Sequence, residues 1–415
     1  MTDINHPEKA RHLGSEGTRA DVVVVGGGPA GLTAAIALAG AGIRTVIVSK
    51  SPAIPDNRTT ALLGGSVRAL ETLAVWEACR NAAAPLAALR IIDDTARIFR
   101  APEVMFHAAE IGLEAFGYNI ENRNLLACLE ARAGSLPHLT RLNGHADRVE
   151  IEPERVRIHL TDGTPVEARL AIGADGRRSA CREAAGIATS RFDYGQAALT
   201  LNLAHTRPHQ QISTEFHTES GPFTLVPLPG MRSSLVWVGT SNEAERRLAL
   251  SPAALEAAVQ RRSHSILGKV SLENPPCLFP LGAEIARSLV APRTALVGEA
   301  AHVLPPIGAQ GLNLGLRDAA TIAEVATAAI KAGEDPGAPD ILAGYERARR
   351  TDATSRAITV DLLNRSLLSD FLPIQGVRGL GLYLIDRIGP LRRALMREGV
   401  LPTFAAPRLM RGEPL

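Results

Sequence analysis

The chain has 415 residues, 46% of them apolar, and a formal net charge of +2. That length supports two or three lobes with large shared cores, and that apolar share excludes a disordered chain. A charge so close to balance argues against nucleic acid as a main partner.

Residues 1–19 are polar and lack an apolar core segment, so they read as a loose arm and not as a secretory signal. Asp21 then opens a short apolar strand through Val25, which runs into GGGPAG and an Ala/Leu helix to about Ala41. Gly42 caps that helix, and residues 44–48 form a second strand, which completes one βαβ unit. Within the turn, Gly26 allows the tight bend and Gly28 lets a pyrophosphate approach. Gly31 lets helix and strand pack closely. The fingerprint expects an acid about 20 residues on to bind ribose hydroxyls. Ser49 stands there, followed by Lys50, and no carboxylate occurs between Asp21 and Asp56. A Ser-Lys pair also suits a 2′-phosphate, so this motif alone leaves the choice of dinucleotide open.

Arg58 is a lone cation in a polar loop, a setting in which most arginines are simply solvated. Residues 86–118 read as β-rich stretches and turns, and the leucine spacing over 121–133 predicts a helix that starts beside Arg123. Strands are expected at 147–151, 155–160 and 166–173, with a hairpin turn at Asp162-Gly163. A second motif, GADGRRSACR at 173–182, joins a strand to a helix start. Its Asp175 and Gly176 suit a ligand turn, although Ser179 alone would make an ordinary helix cap. Residues 191–240 read as several strands, and helices are expected over 252–264, 311–332 and 340–356. Cys79, Cys128, Cys181 and Cys277 show no CxxC and no metal spacing, so we read them as buried free thiols with no metal.

Residues 296–318, LVGEAAHVLPPIGAQGLNLGLRD, carry the most information. An apolar strand end leads to a small-residue turn with Glu299 and His302, then a Pro-Pro bend, then Gly-Gln-Gly before a helix. Gly308 and Gly311 let backbone amides approach a flat ligand, and the helix amide end favours negative charge there. A reduced flavin carries such charge on one ring edge. His302 shows no partner carboxylate in the local sequence, so it is read as a core histidine and not as a catalytic base; no catalytic residue is assigned.

Taken together, GGGPAG, GADGRRSACR and GEAAHVLPPIGAQGLN resemble, in order and spacing, the three motifs of the single-component FAD-dependent aromatic hydroxylases, the p-hydroxybenzoate hydroxylase fold. Within that family the chain is similar to the ubiquinone-biosynthesis hydroxylases, through DNRTTAL at 56–62, GYNIEN at 117–122, GPFTLVPLP at 221–229, SLVW at 234–237 and NLGLRDA at 313–319. The resemblance implies an α/β fold: a glutathione-reductase-like FAD domain (20–71, 111–185 and 290–340), an inserted mixed β-sheet substrate domain (72–110 and 186–289) and a C-terminal helical region (341–415). It implies that Gly26, Gly28 and Gly31 hold the FAD pyrophosphate, and that Arg58 reaches the phosphate–ribityl region. It places Asp175 and Gly176 near the pyrophosphate, and Glu299 on a ribityl hydroxyl. Pro305, Gly308, Gln310, Gly311, Leu312 and Asn313 would line the isoalloxazine, and Arg123 is a further phosphate candidate. Two positions depart from the family. Ser49 replaces the ribose-binding acid, and Glu299 replaces an Asp, keeping the carboxylate with one more methylene.

The implied reaction is hydroxylation of a polyprenylated phenol of ubiquinone biosynthesis, with NAD(P)H as electron donor and O2 reacting as a flavin C4a-hydroperoxide. No second GxGxxG occurs, which fits a nicotinamide that binds only transiently. Alternatives are another FAD enzyme of this fold, a prenyl reductase or a halogenase, although no WxWxIP segment is found. A flavin-bound or flavin-free scaffold in a biosynthetic assembly is the alternative of a different class. No apolar run of about 18 residues occurs, so no spanning helix is expected. Residues 367–401 mix leucines with Arg378, Arg387, Arg392, Arg393 and Arg397. Such a basic amphipathic segment suits either a subunit or domain contact or weak peripheral contact with the inner face of the cytoplasmic membrane. The expected setting is therefore cytoplasmic, with other ubiquinone-biosynthesis proteins and further copies of the chain as expected partners.

Overall fold

A computed structural model describes residues 18–50, 58–95, 100, 102–306, 308–368, 388–400 and 406–415. The expected arm is therefore outside the described residues, except that Thr18 and Arg19 already belong to the first strand, Thr18–Val25. Five strands run parallel: Leu139–Asn143, Thr45–Ser49, Thr18–Val25, Pro165–Gly173 and Thr294–Leu296. In the inner strands Thr45–Ser49, Thr18–Val25 and Pro165–Gly173 the valines, isoleucines and leucines are buried, which is why the sequence shows apolar runs there, whereas the edge strand Leu139–Asn143 is only partly buried. The register sets Val25 beside both Val48 and Gly173, and Gly173 beside Leu296. Three chain segments thus leave the sheet side by side at its carboxyl edge, where ligands of open α/β sheets bind.

The hairpin expected at Asp162-Gly163 is present. Strands Val156–Leu160 and Pro165–Gly173 pair antiparallel, and Gly163 takes a φ of +85°. The helix Pro29–Gly40 crosses the sheet and packs on the helix Gln310–Lys331. Two glycines allow this. A Cβ on Gly31 would sit 2.1 Å from the Gly26 carbonyl oxygen, and one on Gly26 would sit 2.2 Å from the Ala174 oxygen. Neither position accepts a side chain without separating helix from sheet.

A second, nine-stranded sheet is built mainly from residues 88–107 and 189–286, with the short strand His302–Val303 at one edge. Its long strand Thr189–His205 has an irregularity between Asp193 and Gln196, after which successive side chains face opposite ways. Leu199, Leu201 and Leu203 face a core with Phe216, Phe223, Trp237 and the helix residues Leu255 and Val259. Phe223 makes edge-to-face contacts with Trp237 at 5.1 Å and Phe216 at 5.7 Å. The intervening residues, Ala198, Thr200 and Asn202, point the other way, toward a cavity. Segment 223–229, apolar enough in sequence to wall a prenyl chain, contributes no residue to that cavity lining, because Phe223 and Leu225 turn into the outer core.

A three-stranded sheet, Thr59–Leu63, Gly117–Glu121 and Ala83–Pro85, lies between the two large ones. The helix Pro339–Leu368 runs beyond the expected end at 356. Residues 369–387, most of the basic amphipathic segment, lie outside the described residues. The following helix Gly389–Val400 packs on the chain itself: Met396 and Val400 are buried with Ala108 and Phe116, and Arg392 pairs with Glu110 at 2.6 Å. No helix among the described residues is long and apolar enough to cross a membrane.

Candidate active site

Between the two large sheets lies a cavity of about 880 Å³. One wall is made of turns at the carboxyl edge of the parallel sheet: Gly27 to Gly31, then Ala174, Gly176 and Arg177, then Val297 to Glu299. The opposite wall is the small-residue face of the second sheet, with Ala198, Thr200, Asn202, Ser234, Val236 and Phe279. Gly311 and Leu312, in the first turn of the helix Gln310–Lys331, close one end. The first-turn amides of that helix have no side-chain cap, and its N-cap, Ala309, sits in the left-handed region at φ 55°.

The candidate residues sort by what they touch. Gly28, Gly176 and Gly311 have nothing within 4 Å of where a Cβ would sit, so each presents bare backbone to open space. Arg58 lines the cavity with its guanidinium 5.0 Å from the centre of the Phe279 ring. Glu299 lines it too, with its side chain 59% exposed and one carboxylate oxygen 3.9 Å from Arg177. Asp175 accepts the Cys181 amide at 3.1 Å through one oxygen, while its other oxygen is buried without a partner.

Other candidates stand behind the wall. Ser49 is buried and accepts from Arg141 at 3.3 Å, whereas its neighbour Lys50 lines the cavity. Arg123 donates to Glu121 at 2.9 Å and is not among the lining residues; Asn122 is. Pro305 is buried, while Leu304 and Pro306 face the cavity. The Gly308 carbonyl is held by the Gln310 side chain at 3.0 Å. Asn313 is a staple. Its amide donates to the carbonyls of Ala61 and Ala309 at 2.8 and 2.6 Å, and its oxygen accepts the Leu63 amide at 2.9 Å. Cys277, expected to be buried, is instead exposed and lines the cavity.

His302 differs from the sequence expectation. It does have a carboxylate partner, Asp318, with Nε2 and Oδ2 2.6 Å apart. Asp318 is wholly buried on the helix Gln310–Lys331 and also accepts the Gly298 amide at 3.2 Å and Arg349 Nε at 2.8 Å. Burial opposes ionisation of Asp318, but the attraction and hydrogen bonds of His302 and Arg349 outweigh it and hold the carboxyl below its ordinary value. Sequence reasoning missed the pair because its members are 16 residues apart across a turn. The signal present was a lone aspartate on the apolar face of a helix.

Comparison with known proteins agrees with this geometry. The family pattern described as an FAD binding domain matches residues 19–358. The ubiquinone hydroxylase UbiL of Rhodospirillum rubrum is 38% identical over 97% of this chain and 95% of its own length. The 3-demethoxyubiquinol 3-hydroxylase of Escherichia coli is 30% identical, over 91% of this chain and 97% of its own. Among solved structures, p-nitrophenol 4-monooxygenase PnpA from Pseudomonas putida superposes with a TM-score of 0.76 at 19% identity, covering 92% of this chain and 98% of that one. This chain belongs to the FAD-binding monooxygenases. Within them it groups with the ubiquinone hydroxylases, and it is an FAD-dependent enzyme.

The monooxygenase's own residues fit FAD. Bare backbone at Gly28 and Gly176 and uncapped helix amides at Gly311 and Leu312 suit a pyrophosphate and a flat, anionic ring system.

Two expectations follow from this arrangement. If Glu299 accepts a cofactor hydroxyl, Glu299→Ala removes a charge-assisted hydrogen bond and should weaken FAD roughly 10- to 150-fold in a fluorescence titration. Glu299→Asp should be mild, and unchanged binding in the alanine variant excludes the role. Asp318, with its depressed carboxyl, contributes stability that is present above its unfolded value near 4 and lost as pH falls through its lower folded value. Asp318→Asn should therefore be less stable than the parent at neutral pH, because it removes the wholly buried one of the two carboxylates, Asp318 and Asp352, that pair with Arg349. That gap should shrink as the pH is lowered toward about 3 in urea unfolding. A gap that is constant with pH would contradict an ionised Asp318.

Proposed function

We propose that this monooxygenase hydroxylates the ring of a polyprenylated phenol in ubiquinone biosynthesis, using O2 and electrons from NAD(P)H. The observation that carries the proposal is the two-walled cavity, in which glycine turns oppose a face of small and polar side chains. Identity to UbiL and to the E. coli hydroxylase over almost the full chain supports the pathway. When bound, FAD supplies the redox chemistry and the activation of O2. The chain binds, orients and keeps dry. Thr200 offers a hydrogen bond to a ring oxygen, while beside it Asn202 donates to Glu121 at 3.1 Å and Ser234 accepts from Thr59 at 2.8 Å, and the glycine turns and helix amides hold the cofactor edge opposite. Leu235, Val236, Phe279 and Leu281 keep water from the reacting atoms and suit the apolar part of the substrate. We assign segments 20–71, 111–185 and 290–340 to cofactor binding and 72–110 and 186–289 to substrate binding, with 341–415 as a helical cover. The sheets follow that division except at two places: Ala83–Pro85 pairs with Gly117–Glu121, and His302–Val303 pairs with Cys277–Ala286.

The purified protein should carry one FAD per chain. A prenylated phenol should stimulate its O2-dependent NAD(P)H oxidation and gain one oxygen atom from isotopically labelled O2. Loss of the chain should lower ubiquinone and accumulate a prenylated precursor. Normal ubiquinone in a deletion strain without a paralogue would exclude the pathway, and colourless protein would favour a scaffold.

A lipid-soluble substrate also supports weak peripheral membrane contact. Ile388 and Leu395 are 43% and 47% exposed, beside the exposed Arg393 and Arg397. Flotation with anionic liposomes should be reduced by removing residues 367–415, provided that the truncated chain still holds FAD. Equal flotation of both forms leaves the segment as a contact within or between chains.

A further inference from the structure

One ring nitrogen beside the cavity has no hydrogen-bond partner among the described residues. His302 lines the cavity, yet its side chain is 2% exposed. Its Nε2 faces Asp318 and its Nδ1 is buried with no hydrogen-bond partner among the described residues. Asp318 is ionised and already faces the Arg349 guanidinium, so its oxygens only accept. Nε2 must therefore carry a proton. In the neutral ring, a proton on Nε2 leaves the lone pair on Nδ1.

A buried nitrogen without a partner costs free energy, about 1–3 kcal/mol for a typical polar group. The pair is also placed for use. His302 follows Glu299 by one short turn, and Asp318 holds both His302 and the Gly298 amide. A Cβ on Gly315, one turn before Asp318, would sit 3.0 Å from the Gly298 Cα, so turn and helix are in close contact. The Asp318–His302 unit is buried and held by both the turn and the helix that border the cofactor wall.

We propose that His302 is a cofactor-binding residue whose Nδ1 accepts a hydrogen bond from a donor on the flavin half of FAD, directly or through one water, with Asp318 and Arg349 fixing the tautomer. This rests on the assignment of FAD to the cavity. No covalent step is involved; a hydroxyl or ring N–H donates and the imidazole accepts.

Glutamine separates this role from a purely structural one. Its amide can take the place of Nε2–H against Asp318 but offers nothing where Nδ1 stands. In His302→Gln the melting temperature of the apoprotein should stay near that of the parent, while FAD should bind about 3- to 10-fold more weakly. ADP, which lacks the flavin half, should bind both proteins alike. Equal FAD affinity in the two proteins overturns the proposal, and weakened ADP binding overturns the assignment to the flavin half. If the variant does not fold, nitrogen NMR of the parent labelled in histidine decides. The His302 Nδ1 resonance should be that of an unprotonated nitrogen and should move when FAD is added; a protonated or unmoved Nδ1 overturns the proposal. Parent protein that binds no FAD at all would instead remove the cofactor assignment beneath it.

Discussion

The buried carboxylate of Asp318 ties the cofactor wall together. Taking such a charge out of water costs several kcal/mol, and only well-placed partners offset it. Here three donors converge on it from three places in the chain: the Gly298 amide, His302 on the adjoining strand and Arg349 on the long C-terminal helix. Arg349 continues to Asp352, which Arg317 also meets at 2.6 Å, so the charges alternate through the core. Tyr345, buried on the same helix, donates to the Leu296 carbonyl at 2.7 Å and fixes the strand end that precedes the turn. The price of this network is desolvation. What it secures is the position of the 298–303 turn against the first turns of the helix Gln310–Lys331, to within a hydrogen bond.

Strand alternation secures the opposite wall. Because successive side chains of Thr189–His205 face opposite ways, one strand supplies both a leucine core and a lining of small and polar residues. A shift of one residue in register would put Leu199 and Leu203 into the cavity and bury Thr200 in the outer core. The core stacking of Phe216, Phe223 and Trp237 resists that shift, so apolar packing on the outer side dictates where polar groups meet the substrate on the inner side.

Much of this was legible in the sequence, because the informative signals were local. Glycines at 26, 28 and 31 needed only a strand before them and a helix after them. The Asp162-Gly163 turn fixed a hairpin, and the expected strands ended within about two residues of those found. The three motifs gave the order of the cofactor wall. What the sequence did not reveal depends on direction in space. Asn313 and Ser49 sit in the right motifs but turn to backbone carbonyls and to Arg141, and Arg123 turns to Glu121. Phe223 is apolar and well placed in sequence, yet the pleat points it away from the cavity. His302 looked unpartnered because its carboxylate lies beyond the Pro-Pro bend, on a helix whose fold-back no local pattern specifies.

The two walls also differ in what they can tolerate. On the substrate side, side chains at Thr200 and Cys277 project from a sheet whose other face is packed, so their size can change with little effect on the core. On the cofactor side, Gly26 and Gly31 admit no Cβ, and Asp318 admits no loss of a partner without stranding a charge. The cofactor wall is thus rigid by steric closeness and by charge, and the substrate wall is adjustable by the side chains that alternate along its strands. An enzyme built in this way can change the ring or chain it accepts through the sheet while keeping the same hold on FAD, because the two constraints share few residues.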